Sequence, residues 1–171
     1  METWDAIRAR RNVRRYSTEP VPDADLERIA EAAWRSPSAS NRQHWTFIIV
    51  TDPDQLRALS TVWRGAGHIA GAAAAIALVV PATDDDRTRL TDRYDLGQAT
   101  YAMMITAADL GIGTGHSSVG DQAKARDILG LPDDQDVAYL LGVGYPAGRP
   151  LRPIATLDRR PIGEVVRRGR W

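Results

Sequence analysis

Residues 69–81 carry no charge, and the rest of the chain has to be arranged around them. The run is too short for a bilayer span and too rich in alanine to serve as one. It reads as a buried helix end leading into a core strand over residues 75–80. Residues 45–51, dense in β-branched and aromatic side chains, predict a second buried strand. Residues 137–143 predict a third, followed by Gly144-Tyr145-Pro146.

Helical periods fill the intervals. Residues 3–10 predict a short helix with Trp4 and Ile7 on one face. In residues 23–34, Leu26, Ile29, Ala30, Ala33 and Trp34 form an apolar stripe, with Pro20 and Pro22 before it and Ser36-Pro37 after it. Asp52, Pro53 and Gln55 make a helix start, and Leu56, Leu59 and Trp63 supply its apolar side. Residues 83–89 are polar and predict a loop. Residues 92–110 predict the longest helix, burying Leu96, Ala99, Thr100, Met103, Met104, Ala107 and Leu110, with Gly111 ending it in the left-handed conformation. After an extended stretch over residues 112–118 comes a helix over 121–129, stopped by Gly130. Trp34, Trp45 and Trp63 are expected in the core.

This alternation predicts a mixed α/β domain around a small sheet. The length suits one domain over residues 1–171. From Ala147 onward there is little hydrophobic period until residues 162–166, so the tail, about 147–171, is expected to lie over a partner subunit.

Composition removes several classes of function. Formal net charge is zero and the pI is about 6.8, so no global field draws the chain to nucleic acid or an anionic membrane. There is no cysteine, hence no disulfide, thiolate metal site or thiol nucleophile. His44, His68 and His116 lack ligand spacing, and no metal site is expected. The first residues, Met1-Glu2-Thr3-Trp4-Asp5, lack the apolar core of a secretory signal, and a cytoplasmic location is expected by elimination. Among 22 basic residues Lys124 is the single lysine. Genomic base composition accounts for most of the arginines, yet an arginine fork can hold a phosphate through two parallel bonds.

Two constellations have chemical potential. Arg10-Arg11-Asn12-Val13-Arg14-Arg15 follows the first helix and can surround a phosphate with guanidinium and backbone N–H groups. Alone it favours a solvated basic face; a nucleic-acid contact also fits locally, but the chain is neutral and the cluster has no interleaved aromatics. Residues 36–45, Ser-Pro-Ser-Ala-Ser-Asn-Arg-Gln-His-Trp, pack hydroxyls and two primary amides between a helix and a strand. Most such segments are plain loops, but these groups suit a ring edge that needs both donors and acceptors.

Together the two segments, in this order and spacing, resemble the nitroreductase family of FMN-dependent enzymes, with its Arg-Arg-Ser-x-Arg opening and its later Pro-Ser-x-x-Asn-x-Gln-Pro-Trp. Ala107 to Thr114, Gly142 to Pro146 and Arg159 to Val166 are similar to the family's long-helix end, last core strand and closing stretch. The resemblance implies an α+β fold, a three-layer α/β sandwich with a mostly antiparallel central sheet, built as an intertwined homodimer with FMN at the subunit interface. It implies that Arg10, Arg11, Asn12 and Arg14 hold the phosphate and ribityl end of FMN. Pro37, Ser38, Asn41 and Gln43 would approach the flavin from the other subunit, His116, Ser117 and Ser118 would lie near N5, and Arg159 would add a late phosphate contact. No side chain is implied as catalytic; hydride would pass from NADH or NADPH through flavin N5 to a small-molecule electron acceptor such as a nitroaromatic or quinone.

Asn12 stands where the family has serine, and His44 where it has proline. His44 and His116 are open between a chemical role and lining the pocket. The shortness of the chain implies a sparsely lidded site, with residues 83–93 as the only substitute lid. Alternatives within the resemblance are a flavin- or deazaflavin-binding protein without NAD(P)H turnover, reductive dehalogenation, and flavin destruction.

Overall fold

The computed structural model describes every residue except Leu157. Its elements, in chain order, are α1 (Thr3–Ala9), α2 (Asp23–Trp34), β1 (Thr46–Val50), α3 (Pro53–Leu59), β2 (Ala74–Pro81), α4 (Asp86–Asp109), β3 (Gly113–Ser118), α5 (Gln122–Leu129), β4 (Gln135–Gly144) and α6 (Ile162–Val165). The four strands form one sheet in the order β1-β2-β4-β3, and every neighbouring pair is antiparallel.

The charge-free run becomes the centre of the molecule because both faces of β2 are covered. Successive side chains of a strand point to opposite faces. Ala74, Ile76, Leu78 and Val80 meet Leu26 and Ile29 of α2 and Leu96 and Met103 of α4. Ala75, Ala77 and Val79 meet Leu56 and Leu59 of α3, Ile69, and Ala125 of α5. Helices therefore lie on both sides of the sheet, the three layers the resemblance implies. Each fully buried Leu or Ile contributes about 1.5–3 kcal/mol, so the two clusters are the chief source of stability.

The expected helix signals act as read. The Asp52 carboxylate accepts the Gln55 N–H at 2.8 Å at the start of α3. Gly111 (φ 77°) and Gly130 (φ 64°) take the left-handed conformation behind α4 and α5. The Ile112 and Leu131 amides then close back on Ala107 and Arg126, as a Schellman stop requires.

Four expectations need correction. Helix α4 starts at Asp86, not Asp92, because the Asp85 carboxylate accepts the Thr88 N–H and fixes two turns that touch no core; Leu90 there is 70 % exposed. The polar segment read as a loop, and as a substitute lid, is thus mostly helix. Trp34 and Trp63 are exposed rather than buried, each with an arginine over its ring, while Trp45 is half-buried against Phe47. Helix α1 buries Ala6 and Ala9 and leaves Trp4 in solvent. Part of the tail packs on its own chain: Leu151 is buried with Ala9, Val13 and Ala108, and the Ile154 N–H donates to the Arg8 carbonyl. From residue 158 onward the side chains are exposed.

Candidate functional site

The basic segment is shaped by the sheet. After α1 the chain turns extended at Arg10 (ψ 129°) and runs beside β3, an edge strand with a free side. Asn12 bridges Thr114 in parallel, and the Val13 N–H donates to the Thr114 carbonyl at 2.8 Å. Tyr16 bridges Pro146, and the Ala147 N–H donates to the Arg15 carbonyl. Such a close approach demands glycine. A Cβ on Gly115 would lie 2.3 Å from the Val13 carbonyl oxygen, and one on Gly113 would lie 2.6 Å from a Val13 methyl.

Tyr16 and His68 fasten the same spot. The Tyr16 hydroxyl donates to the Val13 carbonyl at 2.8 Å, and burial pushes its pKa far up, so it stays a donor. His68 sets Nε2 against the Gly115 carbonyl at 2.9 Å and Nδ1 against the Gly65 carbonyl at 3.2 Å.

The arginines then diverge. Val13 is buried between exposed Asn12 and Arg14. Arg11 turns to the tail, where its guanidinium donates to the carbonyls of Arg149 and Pro150. Arg10 lies over the Tyr101 ring at 5.7 Å, with its Nε buried and unpartnered. With Arg93, Thr100, Met104, His116 and Tyr139 it lines a groove of about 360 Å³ between α4 and the β3–β4 edge.

No acid balances this region: among the described residues Arg10, Arg11, Arg14 and Arg15 form no ion pair, whereas Arg126 elsewhere is held by Asp136 at 2.9 Å. The cost is visible in two groups. Burial, then the nearby Arg149, lowers the pKa of Arg11. Burial, then Arg14, Arg10 and His68, lowers that of His116 and favours its neutral ring. Uncompensated positive charge beside a groove suits an anion such as a phosphate.

The strand period separates the three residues that the resemblance groups together. His116 and Ser118 face outward, while Ser117 faces inward, 5 % exposed, its hydroxyl donating to the Ser118 carbonyl at 3.0 Å. Pro37, Ser38, Asn41 and Gln43 lie in a loop against the first half of α4; among the described residues no hydrogen bond or ion pair joins them to Arg10–Arg15, and none of them lines the groove. That loop has unusual backbone: Ser40, Asn41 and Gln43 have φ of 52°, 56° and 53°, a conformation that costs an L residue about 1–2 kcal/mol. Two buried carboxylates face it. Asp95 accepts the Ala39 N–H at 2.9 Å, and Asp92 lies at ion-pair distance, 3.3 Å from His44 Nδ1, which is buried without a hydrogen bond among the described residues, and 3.7 Å from Arg42. Arg159 is exposed and, among the described residues, donates to the neighbouring Asp158 carbonyl alone.

Sequence reasoning missed Arg93, Tyr101 and Tyr139 around the groove, and Asp92 and Asp95 under the loop. The aspartates had a readable signal. They fall at helical spacing with Ala99 and Leu96, on the buried side of α4.

Comparison with known proteins agrees with this architecture. The sequence model described as the nitroreductase family matches residues 7–75 and 60–145. An Archaeoglobus fulgidus protein with the provisional name NADH dehydrogenase/NAD(P)H nitroreductase is 35% identical over 176 residues, covering 99% of both chains. A solved structure from Clostridium acetobutylicum, provisionally named an NADH oxidase, superposes with a TM-score of 0.85 at 23% identity, covering 98% of this chain and 100% of that one. The structure of an FMN-dependent nitroreductase from Clostridium difficile does so with a TM-score of 0.83 at 22% identity, covering 97% and 98%. The family match and the relative's name place the chain among oxidoreductases. The chain belongs to the nitroreductase family.

Proposed function

We propose that this protein binds FMN and uses it to oxidise NADH or NADPH and to reduce electron-poor small molecules such as nitroaromatics or quinones. The observation that carries the reading is the set of acid-free arginines fixed along β3 beside His116. FMN fits that donor set: its phosphate would meet Arg14 and the buried, unpartnered Arg10 Nε, and its hydroxylated chain would meet Asn12. When bound, FMN supplies hydride transfer between a reduced nicotinamide and an acceptor.

The chain's own groups bind and orient. Positive charge from Arg10 and Arg14 favours an anionic ring system in the groove. Neutral His116 and the Ser118 hydroxyl face the same side and offer hydrogen bonds. Arg11, engaged by the tail carbonyls, would steady the segment rather than touch the ligand.

A homodimer completes the reading. Within one chain the groove beside the arginines is lined by no residue of the 36–44 loop, and the reading has Pro37, Ser38, Asn41 and Gln43 serve the flavin of a second copy. Exposed Leu90, Tyr94 and Tyr101 on α4, and Ile162 and Val165 in the tail, supply apolar surface for such an interface. Arg159 would arrive with the tail. Among the described residues no helix is long and apolar enough to cross a membrane, and NAD(P)H as reductant suits work in the cytoplasm.

The visible spectrum of the purified protein tests this. A yellow protein bleached by NADH or NADPH and recoloured by a quinone is expected. A colourless protein that cannot be reconstituted with FMN overturns the reading. Bound FMN that NAD(P)H does not reduce within minutes leaves a flavin-binding protein without this turnover.

A further inference from the structure

We propose that Asp92 and Asp95 are positioning residues for the flavin, clamping both ends of the 38–44 loop so that Asn41 and Gln43 are presented in one fixed shape. The proposal rests on the FMN reading above. Three left-handed residues, none of them glycine, fall within four positions, at Ser40, Asn41 and Gln43. A loop so strained relaxes unless its surroundings hold it. Inside the loop the Asn41 and Arg42 amides donate to the Ser38 and Ala39 carbonyls at 2.9 and 3.1 Å, while the two bonds made by Gln43, its N–H to the Ser38 hydroxyl at 3.0 Å and its Nε2 to the Asn41 carbonyl at 3.2 Å, are exposed to competing water.

What holds it comes from α4. The Asp95 carboxylate accepts the Ala39 N–H at the start of the loop, while the Asp92 carboxylate faces Arg42 and His44 at its end. Both aspartates are about 95 % withdrawn from solvent, at 4 % and 5 % exposure. A buried carboxylate disfavours folding unless partnered, and an apolar side chain would pack better against Leu96 and Ala99. Two such groups, one turn apart and both aimed at the same loop, serve the loop's shape rather than the core. The same helix carries Arg93 of the groove between them, and Thr100 and Tyr101 of the groove on the following turns. One rigid element therefore places both the groove and the loop.

The test uses the full-length protein with FMN binding followed by fluorescence, and amide hydrogen exchange followed by mass spectrometry. Asp95→Ala is expected to raise the FMN Kd about tenfold, the loss typical of a charge-assisted hydrogen bond. Asp95→Asn, which keeps an acceptor for Ala39, should recover most of it. In the Ala variant, exchange should speed up over residues 38–44 while α2 and the rest of α4 stay protected. Adding Ser40→Gly, which relieves one left-handed residue, should restore part of the affinity. An unchanged Kd, or a loss that spreads evenly over α2 and α4 without rescue by Asn, overturns the clamp. Should Asp95→Ala not fold, Arg42→Ala decides: a rise of about two- to threefold is expected for a partly exposed ion pair, and no rise overturns the role of Asp92. If the wild-type protein binds no FMN, the functional reading fails, and the exchange arm alone still judges the clamp.

Discussion

The Val13 amide donates to the Thr114 carbonyl at 2.8 Å, and this bond lays the arginine segment along the free edge of the sheet. Val13 itself is buried against glycines of β3, so the positions on either side of it face solvent. The placement of Arg14 therefore depends on backbone pairing, and its effect on charge.

Arg14→Ala removes an exposed cation that no acid opposes. FMN affinity should fall about tenfold, as for loss of a charge-assisted phosphate contact, with little change in Tm. Flavin release on dilution, followed by fluorescence, measures it; unchanged release would place the phosphate elsewhere.

Gly115→Ala acts on the backbone beneath the arginines. Its Cβ would sit 2.3 Å from the Val13 carbonyl oxygen, so the two strands must part. The expected cost is about 2–3 kcal/mol in urea unfolding, as for an overpacked site. FMN retention should fall further than in Arg14→Ala, because the whole segment moves.

His116 gives a pH dependence. Burial, then Arg14 and Arg10, holds its pKa below the usual 6.5. At low pH the unfolded chain takes up a proton that the folded chain resists. Stability from this group is thus present above about 6.5 and is lost as pH falls through the folded value. Arg14→Ala, or FMN phosphate beside the arginines, should raise the His116 pKa, as read by an NMR titration of its ring. No movement in either case would separate His116 from the arginine site.

Leu151→Ala tests the tail anchor. Leu151 is 8 % exposed in a small cluster with Ala9, Val13 and Ala108. Truncation should cost about 2 kcal/mol, the low end for a buried leucine, and should open residues 147–156 to protease before the sheet.

Much of this protein was legible in its residues. The charge-free run had to be a buried helix end and core strand, since neither a membrane nor water accepts it at that length. Asp52, Gly111 and Gly130 marked helix ends because capping is local chemistry. The arginines and the polar loop could be recognised as a pair by order and spacing.

Tertiary structure decided the rest, because it depends on what meets what. Trp34 and Trp63 fit a core by period, yet other side chains filled the space. Asp92 and Asp95 fall on the buried side of α4 by period, yet that they meet the 36–44 loop follows only from the packing of two distant segments. Local propensity and hydrophobic pattern were enough for the mixed α/β content and the chemical inventory, while the three layers were legible only through the family resemblance. Which arginine faces the groove, which grips the tail, and which serine of β3 turns inward were settled by strand register and glycine-sized gaps between distant segments.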